Sequence, residues 1–253
     1  MLNTVCILLL FGSDLIKAPA TVLADRGTVV VSGKGGGRRW TADWAMEPIE
    51  RNGKKAVRFT ERGQGHVSPF SEEVRWSLES VWSAETGFQP LDSERIVTTL
   101  TGARLLTERK HFDVAKSMVR FERQRPEARS EVKSLKILPD TLIVEGIAGI
   151  LRYLKFDRTG PFPAHLLTNE PRLYSVAFEI RGKERVKTPA GDFDCYKVEM
   201  VPHLGVLNVA RYFFPKTFFW FSVAPPHFWV RYEGLENGPG TPEIAMELDR
   251  GSH

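Results

Sequence analysis

Val74-Arg-Trp-Ser-Leu-Glu-Ser-Val-Trp82 places Val74, Trp76, Leu78 and Trp82 on one side of an extended chain, with Arg75, Ser77 and Glu79 on the other. That period of two belongs to a strand with one dry and one wet face. It returns further along. Val176, Phe178 and Ile180 alternate with Ala177, Glu179 and Arg181, and Tyr196, Val198 and Met200 with Cys195, Lys197 and Glu199. Half-wet strands of this kind favour antiparallel pairing.

Turn chemistry falls where the alternation stops. Asn52-Gly53, between Trp44–Ile49 and Ala56–Thr60, is a strong hairpin signal, because both residues tolerate the positive φ of a type I′ turn. Glu85-Thr-Gly87, Thr101-Gly102 and Arg181-Gly182-Lys183 read as further turns, and Thr188-Pro-Ala-Gly191 puts Pro second and Gly fourth in a type I turn. The glycine-dense Ser32-Gly-Lys-Gly-Gly-Gly-Arg-Arg39 lacks phosphate-loop spacing and reads as a hairpin loop. Strands joined in chain order make a meander. One segment breaks the rhythm: in Asp140 to Phe156, Ile143, Ile147, Ile150, Leu151 and Leu154 form a helical stripe that Asp140 can cap. The predicted fold is mainly β: a curved antiparallel meander sheet, open or partly closed into a barrel, with one helix packed on or in it.

The chain has 253 residues, 42% hydrophobic and 26% charged, a globular balance that excludes wholesale disorder, collagen and coiled coil. No apolar run is long enough for an integral membrane span. The apolar run Val5–Phe11, followed by Val22 and Ala24 at the spacing of a small-residue cleavage site, predicts a signal peptide over residues 1–24 and a periplasmic address. Residues 25–249 then form a single antiparallel β-rich domain, and Arg250-Gly-Ser-His253 reads as a tag remnant. Cleavage would remove Cys6 and leave Cys195 alone, with no internal disulfide.

Motifs for chemistry are sparse. His66, His111, His165, His203 and His227 are scattered without metal-site spacing, and no Gly-x-Ser-x-Gly elbow occurs. The expectation is no catalytic residue, no metal and no cofactor. Cys195, beside Lys197 on one strand face, leaves open a hydrolase of unrecognised type. Residues 104–136 hold ten Lys and Arg against five Asp and Glu. That surplus fits either an anionic surface or a solvated face with cross-strand ion pairs, the second being favoured. Nucleic acid is not expected for an exported protein, even at a net charge of +4. The least ordinary feature is aromatic. Tyr212, Phe213, Phe214, Phe218, Phe219, Trp220, Phe221, Phe228, Trp229 and Tyr232 crowd around Ala224-Pro-Pro226. Adjacent aromatics put large apolar groups on both faces of a strand, and the second face needs a cover.

Four segments carry a family resemblance: Phe112-Asp-Val-Ala-Lys-Ser-Met-Val-Arg-Phe121; Asp140-Thr-Leu leading into Gly149-Ile-Leu-Arg-Tyr-Leu154; Val186-Lys-Thr-Pro-Ala-Gly-Asp-Phe-Asp-Cys-Tyr-Lys-Val-Glu199; and Phe219-Trp-Phe221. Across Val74 to Leu248 the chain resembles an uncharacterised bacterial exported domain-of-unknown-function family of β-sheet envelope proteins. Val201 to Lys216, rich in Pro and aromatics, departs from it. The resemblance implies export and a curved sheet similar in shape to the lipoprotein-carrier (Lol-like) half-barrels, and it implies no catalytic residues. The leading expectation is a non-enzymatic periplasmic protein that binds an apolar or lipidic ligand, such as a lipid or a lipoprotein acyl chain. Phe219, Trp220, Phe221 and Trp229, with Ile147 and Leu151 of the helix, are the candidate binding residues. The alternatives are an envelope scaffold using the aromatic hairpin as a protein interface, and the hydrolase.

Overall fold

A computed structural model describes residues 16–85, 87–126, 128–158, 160–203 and 215–251. The Val5–Phe11 run, Thr86 of one expected turn, the aromatics Tyr212, Phe213 and Phe214, and Ser252-His253 lie outside the described residues.

Among the described residues fifteen strands form one curved sheet that does not close. The first eight are β1 (Asp25–Gly33), β2 (Arg38–Arg51), β3 (Lys54–Gly65), β4 (Val74–Ser83), β5 (Gln89–Thr99), β6 (Arg104–Asp113), β7 (Met118–Gln124) and β8 (Glu131–Lys136). They run as an antiparallel meander from the middle of the sheet to one edge. The chain then crosses to the far edge and enters β9 (Thr141–Ile143) and the helix α1 (Ile147–Leu151). It returns through β10 (Phe162–Leu167), β11 (Leu173–Thr188), β12 (Gly191–Pro202), β13 (Thr217–Ser222), β14 (Trp229–Leu235) and β15 (Glu243–Gly251). β15 pairs antiparallel with β1, so the two meanders join at the centre. β9 pairs parallel with β10, and every other neighbouring pair is antiparallel.

The hairpin expectations hold at three turns, each with a glycine at positive φ. Asn52 and Gly53 sit at φ 52° and 72°, and Arg51 faces Lys54 across the turn. Thr101-Gly102 turns between β5 and β6, and Thr188 faces Gly191 at the β11–β12 hairpin. Arg181-Gly182-Lys183 is not a turn. It is a register shift inside the sixteen-residue β11, where Gly182 at φ 124° absorbs the extra residue. Similar shifts at Thr28/Val29, Val31/Ser32, Val81/Trp82, Val97/Thr98 and Trp220/Phe221 increase local twist and bend the sheet.

The helix is shorter than the stripe suggests. Thr141–Ile143 is drawn into the sheet, and the Asp140 carboxylate meets His165 Nδ1 at 2.9 Å instead of capping a helix. Gly146, at φ 79°, separates that strand from the single turn Ile147–Leu151. A β-carbon on Gly146 would lie 2.9 Å from Phe59, and one on Gly149 would lie 2.9 Å from Met46 Sδ. Gly146 is therefore required twice over, by its positive φ and by the Phe59 ring, whereas at Gly149 the neighbour is the flexible end of Met46. Ile150 and Leu151 are fully buried. Ile16 and Val22 also join the core, and Lys17 bridges to Gly87.

Candidate functional site

The inner face of the N-terminal meander follows from its register. Val31 faces Trp40, Ala42 faces Gly63, and Gly63 faces Trp76. A β-carbon on Gly63 would fall 2.0 Å from Trp76 Cζ2, so the indole lies directly across the glycine. The rings of Trp40 and Trp76 then meet edge to face, centroids 5.2 Å apart. On the other side of the β1–β15 seam, Met246 faces Tyr232, Tyr232 faces Phe219, and Phe221 faces Trp229. Gly234 leaves room for the Tyr232 hydroxyl, which donates to Leu235 O at 2.7 Å. Burial pushes that phenol well above its ordinary range.

Between these walls and α1 lies a cavity of about 880 Å³, within the size range of small-molecule sites. Its apolar lining includes Trp40, Trp44, Trp76, Phe219, Trp229 and Met246. Of the six tryptophans, Trp40, Trp76, Trp82 and Trp220 donate their indole N–H to Glu236, Glu61, Ser80 and Glu184 respectively. The indole nitrogens of Trp44 and Trp229 are buried and have no partner among the described residues.

Glu61 and Arg95 also line the cavity, at the inner end of a charged row that continues beyond it. A cross-strand row on the inner face runs Trp44, Glu61, Leu78, Arg95, Glu108, Arg123 and Glu131 over β2 to β8. Glu61 lines the cavity, and burial pushes its carboxyl up against the opposing pull of Trp76 and Arg95. Glu108 accepts from Arg123 Nε at 2.7 Å. Lys110 is ion-paired with Glu145 just before α1, and Arg152 Nη1 donates to Asp25 at 2.6 Å. The loop after β10 joins the two ends of the sheet: Lys110 Nζ donates to Asn169 Oδ1 at 3.3 Å and Arg123 Nη2 to Asn169 O at 2.9 Å. At the rim, Glu236 accepts from Arg39, Trp40 and the Ser68 amide. Burial raises that carboxyl, but these donors outweigh it and hold it below its ordinary value.

Of the six residues expected to bind ligand, Phe219, Trp229 and Ile147 line the cavity. Phe221 and Leu151 are fully buried in the core behind it. Trp220 is on the opposite face of β13, in a small outer cluster with Val186, Cys195 and Val230. Its cover comes from within the chain: the Lys197 ammonium lies 5.1 Å from one of its ring centroids and the Arg231 guanidinium 5.6 Å, while its N–H reaches Glu184 at 2.6 Å. Cys195 is fully buried in the same cluster. Burial, then the Asp194 and Glu184 carboxylates, push its thiol up to about 12, the reverse of an activated nucleophile. Part of the basic charge of residues 104–136 is paired across strands, Arg109 with Glu94 and Arg123 with Glu108, while Lys133 meets Glu131 on its own strand. Among the described residues no cluster of His, Cys, Asp and Glu could hold a metal ion, and no helix is long and apolar enough to cross a membrane.

Sequence reasoning missed Trp40, Trp44, Trp76, Glu61 and Arg95 because it followed aromatic density in one hairpin. A signal was present. Glu61 shares its phase with Phe59 and Val57, and Arg95 with Val97, charged groups on an otherwise apolar face.

Residues 35–246 match the model of a family described as Protein of unknown function (DUF3108). No curated protein matches the chain. Among solved structures, it is similar to a protein from Bacteroides fragilis NCTC 9343 assigned as exported and with a YmcC-like fold, at 12% identity and TM-score 0.36. It is also similar to a protein from Parabacteroides distasonis ATCC 8503 assigned as a lipoprotein, at 10% identity and TM-score 0.36. Each likeness covers 94% of this chain and all of the other.

Proposed function

The chain belongs to the DUF3108 family, and we propose that it is a non-enzymatic, exported envelope protein that holds an apolar or lipidic ligand in the concavity of its sheet. One observation carries this reading: a cavity of about 880 Å³ walled by aromatics from both meanders. A sheet that only needed a core would fill that space with side chains, since interiors pack to crystal-like density. The periplasmic address rests on the leader-like amino terminus, and a role in envelope maintenance or transport on the address and the cavity together. The interface reading draws less support, because Trp220 is already covered by Lys197 and Arg231. The hydrolase reading would require a thiolate at Cys195, which its surroundings disfavour.

Native mass spectrometry of protein purified from the envelope tests the proposal. An added mass in the lipid range, lost on organic extraction, is the expected result. A bare chain that also fails to bind 1-dodecanol or a fluorescent apolar dye would refute it.

A further inference from the structure

We infer that the cavity takes an amphiphile with an anionic head, carboxylate or phosphate, seated on Arg95 with its hydrocarbon tail among the tryptophans. This rests on the reading of the concavity as an apolar-ligand site and specifies the head group.

Lys110 has Glu145, Arg152 has Asp25, and Arg123 has Glu108 and Glu131. Arg95 is different. Its one ion contact is Glu108 Oε2 at 3.9 Å, beyond hydrogen-bond distance, and that carboxylate is already engaged by Arg123 at 2.7 Å. Among the described residues the Arg95 guanidinium makes no hydrogen bond, although its side chain keeps only 12% of its surface. Its nitrogens are not sealed in, and Arg95 lines the cavity. Five N–H donors without an acceptor, beside an apolar chamber, suit a planar or tetrahedral oxyanion bound through two parallel hydrogen bonds. The other carboxyl of the row on the cavity side, Glu61, is occupied by Trp76 Nε1 at 2.7 Å, and burial raises it above its ordinary range. At this seat the Arg95 guanidinium therefore keeps hydrogen-bond donors that neither Glu108 nor Glu61 takes up.

Titration of the full chain with dodecanoate, dodecyl phosphate and 1-dodecanol tests the inference. Three probes share one tail and differ in the head. At least one anion should bind about tenfold or more tighter than the alcohol, the scale of a charge-assisted pair. Preference for dodecanoate identifies a fatty-acid-type head and preference for dodecyl phosphate a phospholipid-type head; either supports the seat. Arg95→Gln should abolish the preference and leave dodecanol binding in place, and Arg95→Lys should restore part of it. Equal binding of alcohol and both anions by the unaltered chain overturns the inference while leaving the apolar site standing. So does an unchanged preference in a folded Arg95→Gln. Failure of all three probes instead removes the site itself. The comparison within the unaltered chain decides the matter even where a variant does not fold.

Discussion

At the scale of single residues, the interior combines two carboxyls shifted in opposite directions. Glu61 is raised, so between its ordinary value of 4.5 and its folded value the native state holds more protons than the unfolded chain. Stability from this group is therefore greatest in acid and falls as pH rises through that window. Glu61→Gln should be close to neutral at pH 4 and stabilising at pH 7 by urea denaturation; an equal effect at both pH values contradicts the assignment. Glu236 has the other sign. Its lowered carboxyl contributes stability above the unfolded value, which is lost as pH falls through the folded one. Glu236→Gln should accordingly cost stability at pH 7, by about 2 kcal/mol for the charged hydrogen bonds weakened, and less at pH 3. Gly63 makes a steric case. Any β-carbon there meets the Trp76 ring, so Gly63→Ala should cost about 1–3 kcal/mol in the same measurement, an overpacking penalty.

At the scale of elements, β13 shows what alternation decides and what it leaves open. Phe218, Phe219, Trp220 and Phe221 in a row require two apolar faces, and the sequence pattern says so. It does not say which face is inner, nor that lysine and arginine stems from β12 and β14 would cover the outer one. Those neighbours are set by register, a long-range property. The consequence is a contrast in binding: Phe219→Ala should weaken dodecanol several-fold, whereas Trp220→Ala should leave it unchanged, both read by titration of folded protein. The expected helix shows the same limit. The stripe from Ile143 to Leu154 is present in the residues, but a parallel partner in β10 takes its first part, and Gly146 ends the competition. Local periodicity identified a buried segment and mistook half of it for helix. The turn at Asn52-Gly53 was legible because its geometry depends on those two residues alone. Arg181-Gly182-Lys183 looked the same locally and became a bulge, because the strand continues on both sides.

At the scale of the whole molecule, the sheet stays open because β8 and β9 are not hydrogen-bonded to each other. Charged side chains, with the loop at Asn169 and the segment around α1, hold its ends together instead. The Lys110–Glu145 pair is buried on both sides, and removing one partner strands the other in low dielectric. Lys110→Met should cost about 3–5 kcal/mol, and Lys110→Met with Glu145→Leu should recover most of that loss in a double-mutant cycle. The curved sheet could be foreseen from strands and turns. The cavity could not, since it depends on which aromatics of β2, β4, β13 and β14 face one another after the sheet has bent.

The central claim is that an apolar chain occupies that space, and quenching of tryptophan fluorescence by 12-bromododecanoate tests it most directly. Bromine quenches only indoles it approaches closely. Quenching should be saturable, persist in Trp220→Phe and diminish in Trp229→Phe and Trp76→Phe, the two rings on opposite walls of the cavity. No quenching at saturating probe, or quenching that disappears only with Trp220, would contradict it.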